Sequence, residues 1–317
     1  MKIKTVSMIG LGAVGCAVAP ELIRLLPRES LRIVAGGARK ARLERQGVVV
    51  NGEHYDCFVT DPETDCGPAD LVIVSVKYHA LPQAIADLKH HVGEHTILLS
   101  LMNGVNSRQI IGQTYGIEKC LYGICNLSTV NHGNGVFTVS HMKGGISIGE
   151  ARNAPPYSER LQAVASLFDE AGIDYQIPQD MVHAQWWKFL LNVGGNCTNT
   201  VLRGTQSYFQ VLEPANRARR MVMEEVLKVG QAEGVNITQN DVEELMGVYK
   251  NYPAGNTCSM LQDLLKGART ENDMFCGYVV ELGKKHGIAT PVNEYLYHLI
   301  DALDEVNAGA PVVRVDV

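Results

Sequence analysis

The chain has 317 residues, 46% of them hydrophobic and 20% charged, a balance typical of folded globular proteins and long enough for two domains. A net charge of −6 leaves no electrostatic footprint for nucleic acid, although a local pocket for a small anion needs no basic surface. No apolar run reaches the roughly 18 residues that a membrane span needs. Eight cysteines without a C-x-x-C or clustered histidines argue against a metal site or a disulfide framework, and for reduced thiols in a cytoplasm.

The first twenty residues imitate a secretory signal, with a basic tip, an apolar run and Ala17-Val18-Ala19. Glycines at 10, 12 and 15 would break up such a core, and another pattern uses each of them. Residues 4–9 predict a buried strand and 13–26 the helix that follows it. A second strand is predicted at 31–35, a charged helix at 38–46, and a hairpin in "VVVNGEHYDCFV" with Asn51-Gly52 at its turn. "ADLVIVSVK" is a continuous apolar run of the central parallel kind. A helix over 79–90 and a strand over 96–101 come next, and the alternation predicts a doubly wound sheet. Shorter strands near 120–125, 135–140 and 146–149 predict an antiparallel extension. Beyond 178 the pattern turns helical, over 180–200, 214–234, 238–250, 257–267, 270–286 and 291–307, the last starting on Thr290-Pro291.

Gly10, Leu11, Gly12, Ala13, Val14 and Gly15 spell G-x-G-x-x-G between the first strand and its helix. The three glycines serve a tight turn, close approach of backbone to a pyrophosphate, and close packing of helix on strand. A helix N-terminus then offers its N–H groups to phosphate. The expected fold is therefore α/β: an N-terminal Rossmann-type doubly wound sheet in residues 1–178 that binds a dinucleotide, followed by an all-α C-terminal domain in residues 179–317. After the second strand the acid that would hold a ribose 2′-hydroxyl is missing, and Arg39, Lys40 and Arg42 stand nearby. Cations there favour the 2′-phosphate of NADP(H); the alternative is a solvated charge on a surface helix, the fate expected of at least one. Lys77 and Asn103 end later strands at the edge where such sheets bind ligands, with a solvated loop lysine as the alternative for Lys77.

The helical half opens on "AQWWKFLLNVGGN", where Lys188, Asn192 and Asn196 follow at steps of four and are expected along one stripe. A lysine held partly out of water is shifted toward a pKa useful for proton transfer, and asparagines bind a ligand without adding charge. A snorkelling lysine with interhelical asparagine contacts is the alternative. Ser259 and Glu271 lie twelve residues apart; as purely local signals they read as an N-cap and a capping-box acid.

Taken together, these residues resemble the ketopantoate reductase (2-dehydropantoate 2-reductase) family nearly end to end. The resemblance is carried by Gly10, Gly12 and Gly15, by S-V-K with Lys77, and by N-G with Asn103. It continues in W-x-K-x-x-x-N-x-x-x-N at Lys188, Asn192 and Asn196, and in N-x-x-S-M-x-Q-D followed by R-T-E. It implies NADPH-dependent reduction of 2-dehydropantoate to (R)-pantoate, on the route to pantothenate and coenzyme A. It implies Lys188 as general acid, Glu271 as the acid that closes on ligand and cofactor, and Asn192, Asn196, Asn256 and Ser259 at the substrate. Lys77 and Asn103 would reach the cofactor and the keto acid. A homodimer is compatible with the family, and no metal is implied. Cys258 stands where a second serine is common, Gln206 where an asparagine can serve the substrate, and Gly194-Gly195 are expected to thin the wall of the lysine helix. "TEND" replaces the more usual "TEID". These departures question the keto acid more than the reaction. The rival readings are an NAD(P)-dependent D-2-hydroxy acid dehydrogenase and a non-catalytic NADPH sensor.

Overall fold

The computed structural model describes residues 2–312, so Met1 and residues 313–317, the end of the second predicted domain, lie outside the described residues. The chain forms two compact units, residues 1–182 and 183–317.

The first unit contains strands β1 (Val6–Ile9), β2 (Leu31–Val34), β3 (Val48–Val50), β4 (Glu53–Tyr55), β5 (Val59–Thr60), β6 (Leu71–Val74), β7 (Ile97–Ser100), β8 (Cys120–Gly133), β9 (Val136–Gly149) and β10 (Tyr175–Gln176). They join in the order β4-β3-β9-β8-β7-β6-β1-β2-β5, with β10 beside β9. The apolar runs of β1, β6 and β7 are buried along their whole length, as expected of parallel strands covered on both faces. Helices α1 (Ala19–Leu25), α2 (Gly37–Gln46), α3 (Leu81–Asp87), α4 (Ser107–Tyr115) and α5 (Glu159–Ala171) belong to the same unit. Parallel register pairs Ile9 with Val74 and Val74 with Ser100. The loops after β1, β6 and β7 therefore leave the sheet from one edge.

Two differences from the sequence reading have local causes. The helix after the glycines is split, with a 3₁₀ turn at Gly15–Ala17 before α1 begins at Ala19. Pro20 explains the late start, because it supplies no N–H and crowds the residue before it, while fitting the first turn of a helix. The three short strands predicted after residue 120 are instead a single hairpin of two 14-residue strands, β8 and β9. Its turn is Asn134-Gly135, both at positive φ, the same signature as Asn51-Gly52 between β3 and β4.

In the second unit, α6 (Met181–Asn192, begun at the end of the first unit) runs into a π-helical turn at Val193–Cys197 and on into α7 (Thr198–Leu202). Then come α8 (Ser207–Val211), α9 (Glu213–Ala232), α10 (Gln239–Val248), α11 (Ser259–Leu265), α12 (Cys276–His286) and α13 (Pro291–Asn307). The helix predicted over 270–286 begins only at Cys276. Thr270 is held by Asp304, its N–H at 3.2 Å and its Oγ1 at 2.6 Å, and Asn272–Met274 form a 3₁₀ turn. Thr290 and Pro291 do start α13, but the cap comes from elsewhere. The buried Glu225 of α9 accepts the N–H groups of Val292 and Asn293 at 3.0 and 2.9 Å, placing a carboxylate at the positive end of the helix.

Candidate functional site

In the first unit the glycine loop is built by contacts that exclude side chains. Gly10 sits at φ +95°, and a Cβ there would lie 2.5 Å from the carbonyl carbon and oxygen of Ser75. A Cβ on Gly15 would meet the Gly10 carbonyl oxygen at 2.4 Å. Gly12 differs: its Cβ would project into open space, with nothing within 4 Å. Two glycines are thus required by packing, and the third leaves bare backbone facing room, which fits the close approach of a pyrophosphate. Ser75 ties the loop together, its hydroxyl donating to the Gly10 carbonyl at 2.7 Å. In the sequence S-V-K singles out Lys77, and nothing local marks this serine.

Of the three cations after β2, Arg39 reaches the loop, Nη2 donating to the Leu11 carbonyl at 2.9 Å. Although the residue as a whole is exposed, partial burial of its guanidinium and the nearby Arg42 charge both lower its pKa. An anion beside it would relieve both effects. Lys40 pairs instead with Glu44 one turn along α2. Arg42 packs under the β8–β9 turn, close to Gly135. Lys77 is exposed, and Asn103 is half-buried in the loop after β7. Beyond Asn103, Asn106 is 6% exposed and donates to the Tyr78 hydroxyl at 2.8 Å. Its amide oxygen has no partner among the described residues.

In the second unit, Lys188 and Asn192 are half-buried and Asn196 is buried, all on one continuous helical path. A step of four in an α-helix overshoots a full turn by about 40°, so three side chains at such steps drift around the axis. The π turn between Asn192 and Asn196 closes at i+5, and each residue advances less around the axis. Most of the accumulated drift is removed there. The expected stripe therefore relies on an irregularity that the spacing does not reveal.

Gly194 and Gly195 do not thin the helix wall. A Cβ on Gly195 would lie 1.9 Å from the Tyr249 hydroxyl, and one on Gly194 would lie 2.4 Å from Met223 Cγ. The space their missing side chains leave is already filled.

The capping role expected of Ser259 falls to Cys258, whose Sγ accepts the Leu261 N–H at 3.4 Å and lies 3.7 Å from the Asn196 carbonyl. Burial is the main reason that its thiol is pushed up to about 11, so it is a neutral cap and not a thiolate nucleophile. Ser259 is left exposed as the first residue of α11. The loop carrying Asn256 is stitched to the start of α8: Gln206 N–H donates to the Asn256 carbonyl at 2.8 Å, and Ser207 N–H to that of Ala254 at 3.1 Å. Gln206 is buried, and its Oε1 has no partner among the described residues. Glu271 is 6% exposed and precedes the 3₁₀ turn. Phe189, beside Lys188, packs against Phe275 and Tyr278 at 6.4 Å between ring centroids, tying the lysine helix to the segment that follows Glu271. This unit thus brings Asn196 close to the Asn256–Ser259 segment and the Lys188 helix to the Glu271 segment.

The family profile described as ketopantoate reductase PanE/ApbA matches residues 6–153, and its C-terminal counterpart matches residues 180–304. The 2-dehydropantoate 2-reductase of Halobacterium salinarum is 31% identical over 242 residues, 76% of this chain and 78% of its own length. A PanE/ApbA family ketopantoate reductase from Ralstonia eutropha JMP134 superposes with a TM-score of 0.83 at 24% identity, over 96% of this chain and 99% of that one. D-mandelate dehydrogenase, solved with NADH and anilino(oxo)acetate, gives 0.83 at 21% identity with the same coverage, a likeness of fold. With both family profiles matched and a relative above 30% identity, the chain is an oxidoreductase of the ketopantoate reductase family.

Proposed function

We propose that the chain reduces 2-dehydropantoate to (R)-pantoate with NADPH in the cytoplasm, as a step toward pantothenate and coenzyme A. In this reading the first unit holds the cofactor and the second supplies the acid and the substrate contacts. The observation that carries it is the polar ladder of Lys188, Asn192 and Asn196, kept in line by the π turn. An ammonium and two amides along one path combine a proton donor with uncharged hydrogen-bonding groups, which is what a carbonyl taking up a hydride requires.

The bound cofactor supplies a hydride from its dihydronicotinamide ring. On this side of the reaction, Lys188 Nζ holds the proton that the developing alkoxide takes up, and its charge stabilises that oxygen beforehand. Asn192 and Asn196 orient the keto acid by hydrogen bonds that add no charge. Asn256 and Ser259 serve its carboxylate and hydroxyl, and Glu271 completes the contacts to ligand and cofactor. Bare backbone at Gly12 suits the pyrophosphate, with Leu11, Ala13 and Val14 around it. Arg39, anchored on the loop, suits the 2′-phosphate better than Lys40, which already has Glu44 as partner. Lys77 and Asn103 belong to the same edge of the sheet.

A second reading keeps the reaction and changes the substrate to another D-2-hydroxy acid. The glutamine at 206 favours it, because its longer side chain carries a buried amide, whose oxygen has no partner among the described residues, further than the asparagine usual in the family would. The deciding experiment follows NADPH and NADH oxidation with 2-dehydropantoate, 2-ketoisovalerate and benzoylformate. The proposal expects the highest kcat/KM for 2-dehydropantoate with NADPH. Preference for benzoylformate establishes the second reading, and no turnover of any keto acid despite tight NADPH binding rejects both.

A further inference from the structure

The second unit buries an arginine that the proposed chemistry does not use. Arg219 of α9 is 1% exposed, yet no carboxylate lies within ion-pair distance of it among the described residues. Its guanidinium rests on two ring faces, 4.8 Å from the Phe209 centroid and 4.6 Å from that of Tyr249. Nη2 donates to the Asn216 amide oxygen and the Met246 carbonyl, both at 3.0 Å, while Nε and Nη1 have no partner among the described residues. A buried cation without an acid is costly, and cation–π contact offsets only part of that. What the arrangement achieves is a fixed ring. Tyr249 packs against both Arg219 and Phe209 in a mutually contacting group, and its hydroxyl occupies the place where a side chain of Gly195 would begin.

Gly195 lies in the π turn that realigns Asn196 with Lys188. We propose that Tyr249, clamped by Arg219, is a positioning residue: it fixes the π turn and thereby the point at which Asn196 meets the substrate. This rests on the reading of Asn196 as a substrate-binding residue. Tyr249 touches neither substrate nor cofactor in this scheme, so disturbing it should change KM for the keto acid and spare cofactor binding.

The test is a size exchange. In Gly195→Ala the added methyl overlaps the Tyr249 hydroxyl, and KM for the keto acid should rise about tenfold or more with NADPH affinity unchanged. Tyr249→Phe in the same chain removes the hydroxyl and should recover part of that loss, though not all, because Cζ still lies 2.9 Å from the new Cβ. A wild-type KM in a folded Gly195→Ala protein overturns the proposal, and so does a double variant no better than the single one. If Gly195→Ala does not fold, Tyr249→Phe alone decides. It should raise KM about threefold with the melting temperature and NADPH affinity unchanged, and an unaltered KM overturns the proposal. Asn196→Ala separates the two levels. A wild-type KM there overturns the substrate reading and this inference with it; an impaired Asn196→Ala beside an unimpaired Gly195→Ala overturns the inference alone.

Discussion

Replacing Gly12 and Gly10 separately by alanine should produce opposite defects. Gly12 is outside the left-handed region, and its added methyl would meet nothing within 4 Å. A glycine-to-alanine change at such a compatible position leaves stability unchanged or raises it by about 0.4–1 kcal/mol. The same methyl would stand where the backbone must approach a pyrophosphate. An intrusion of that size costs about 1–3 kcal/mol, or roughly a 5- to 150-fold weaker NADPH affinity. Gly10 has φ +95° and the Ser75 carbonyl at 2.5 Å from its missing Cβ. There the left-handed backbone costs about 1–2 kcal/mol and the overlap a further 1–3 kcal/mol, so the protein itself should be destabilised. Thermal melts report the first quantity and NADPH fluorescence titration the second. Gly12→Ala that binds NADPH with wild-type affinity would refute the assignment of this loop to the pyrophosphate. Gly10→Ala that melts with the wild type would refute the packing argument.

Lys188→Ala should lower kcat by about 10²–10⁴-fold with NADPH affinity nearly intact, measured by steady-state kinetics and titration; undiminished turnover would end the acid assignment. Arg39→Ala should weaken NADPH binding about 10- to 100-fold and NADH binding far less, so an unchanged ratio of the two dissociation constants counts against a 2′-phosphate role. His91 is fully buried, with its Nδ1 2.9 Å from the Ser7 hydroxyl and its Nε2 unpaired among the described residues. Burial, with a smaller contribution from the Arg32 charge, lowers its pKa to about 4. The unfolded chain, with an ordinary value near 6.5, takes up the proton first. Stability should therefore hold above pH 6.5 and fall by about 3 kcal/mol as pH drops from 6.5 to 4. Urea melts across that range should show the slope in the wild type and less of it in His91→Gln; equal slopes would remove His91 as the cause.

Legibility in the sequence followed the range of the interaction. The glycine loop and the Asn51-Gly52 turn can be read because their requirements are local, a positive φ or a missing Cβ within a few residues. The buried parallel strands can be read because a run apolar on both faces has few other uses. The π turn could not be read. Lys188, Asn192 and Asn196 keep the same spacing with or without it, and its support comes from Tyr249 and Met223, far along the chain. The helix start at 276 was missed for a similar reason: Asp304 fixes Thr270 from α13. Cys258 as a cap went unread because sulfur is an uncommon acceptor at that position, and the better capping residue stands next to it. The role of Ser75 went unread because its partner is a backbone carbonyl on another strand's loop.

Apart from Asn272 of "TEND", the departures that question the keto acid lie on neighbouring segments. Cys258 lies against the Asn196 carbonyl, Gly195 against Tyr249, and Gln206 holds the Asn256 segment by its backbone while burying an amide oxygen that has no partner among the described residues. None alters Lys188 or the glycine loop. If the proposed roles hold, the reaction and its specificity rest on different residues. Proton donation depends on one lysine of a regular helix, whereas substrate fit depends on a packed group whose members share neighbours. Residues in such a group do not act additively. Restoring the more usual serine at 258 would keep a cap but put a shorter hydroxyl where the thiol meets the Asn196 carbonyl, and asparagine at 206 would leave a cavity, so neither alone rebuilds the family's usual pocket. Under those proposed roles, a change of keto acid calls for exchanging positions 195, 206, 249 and 258 together, with Gly195 and Cys258 bearing on Asn196 and Gln206 on the Asn256 segment.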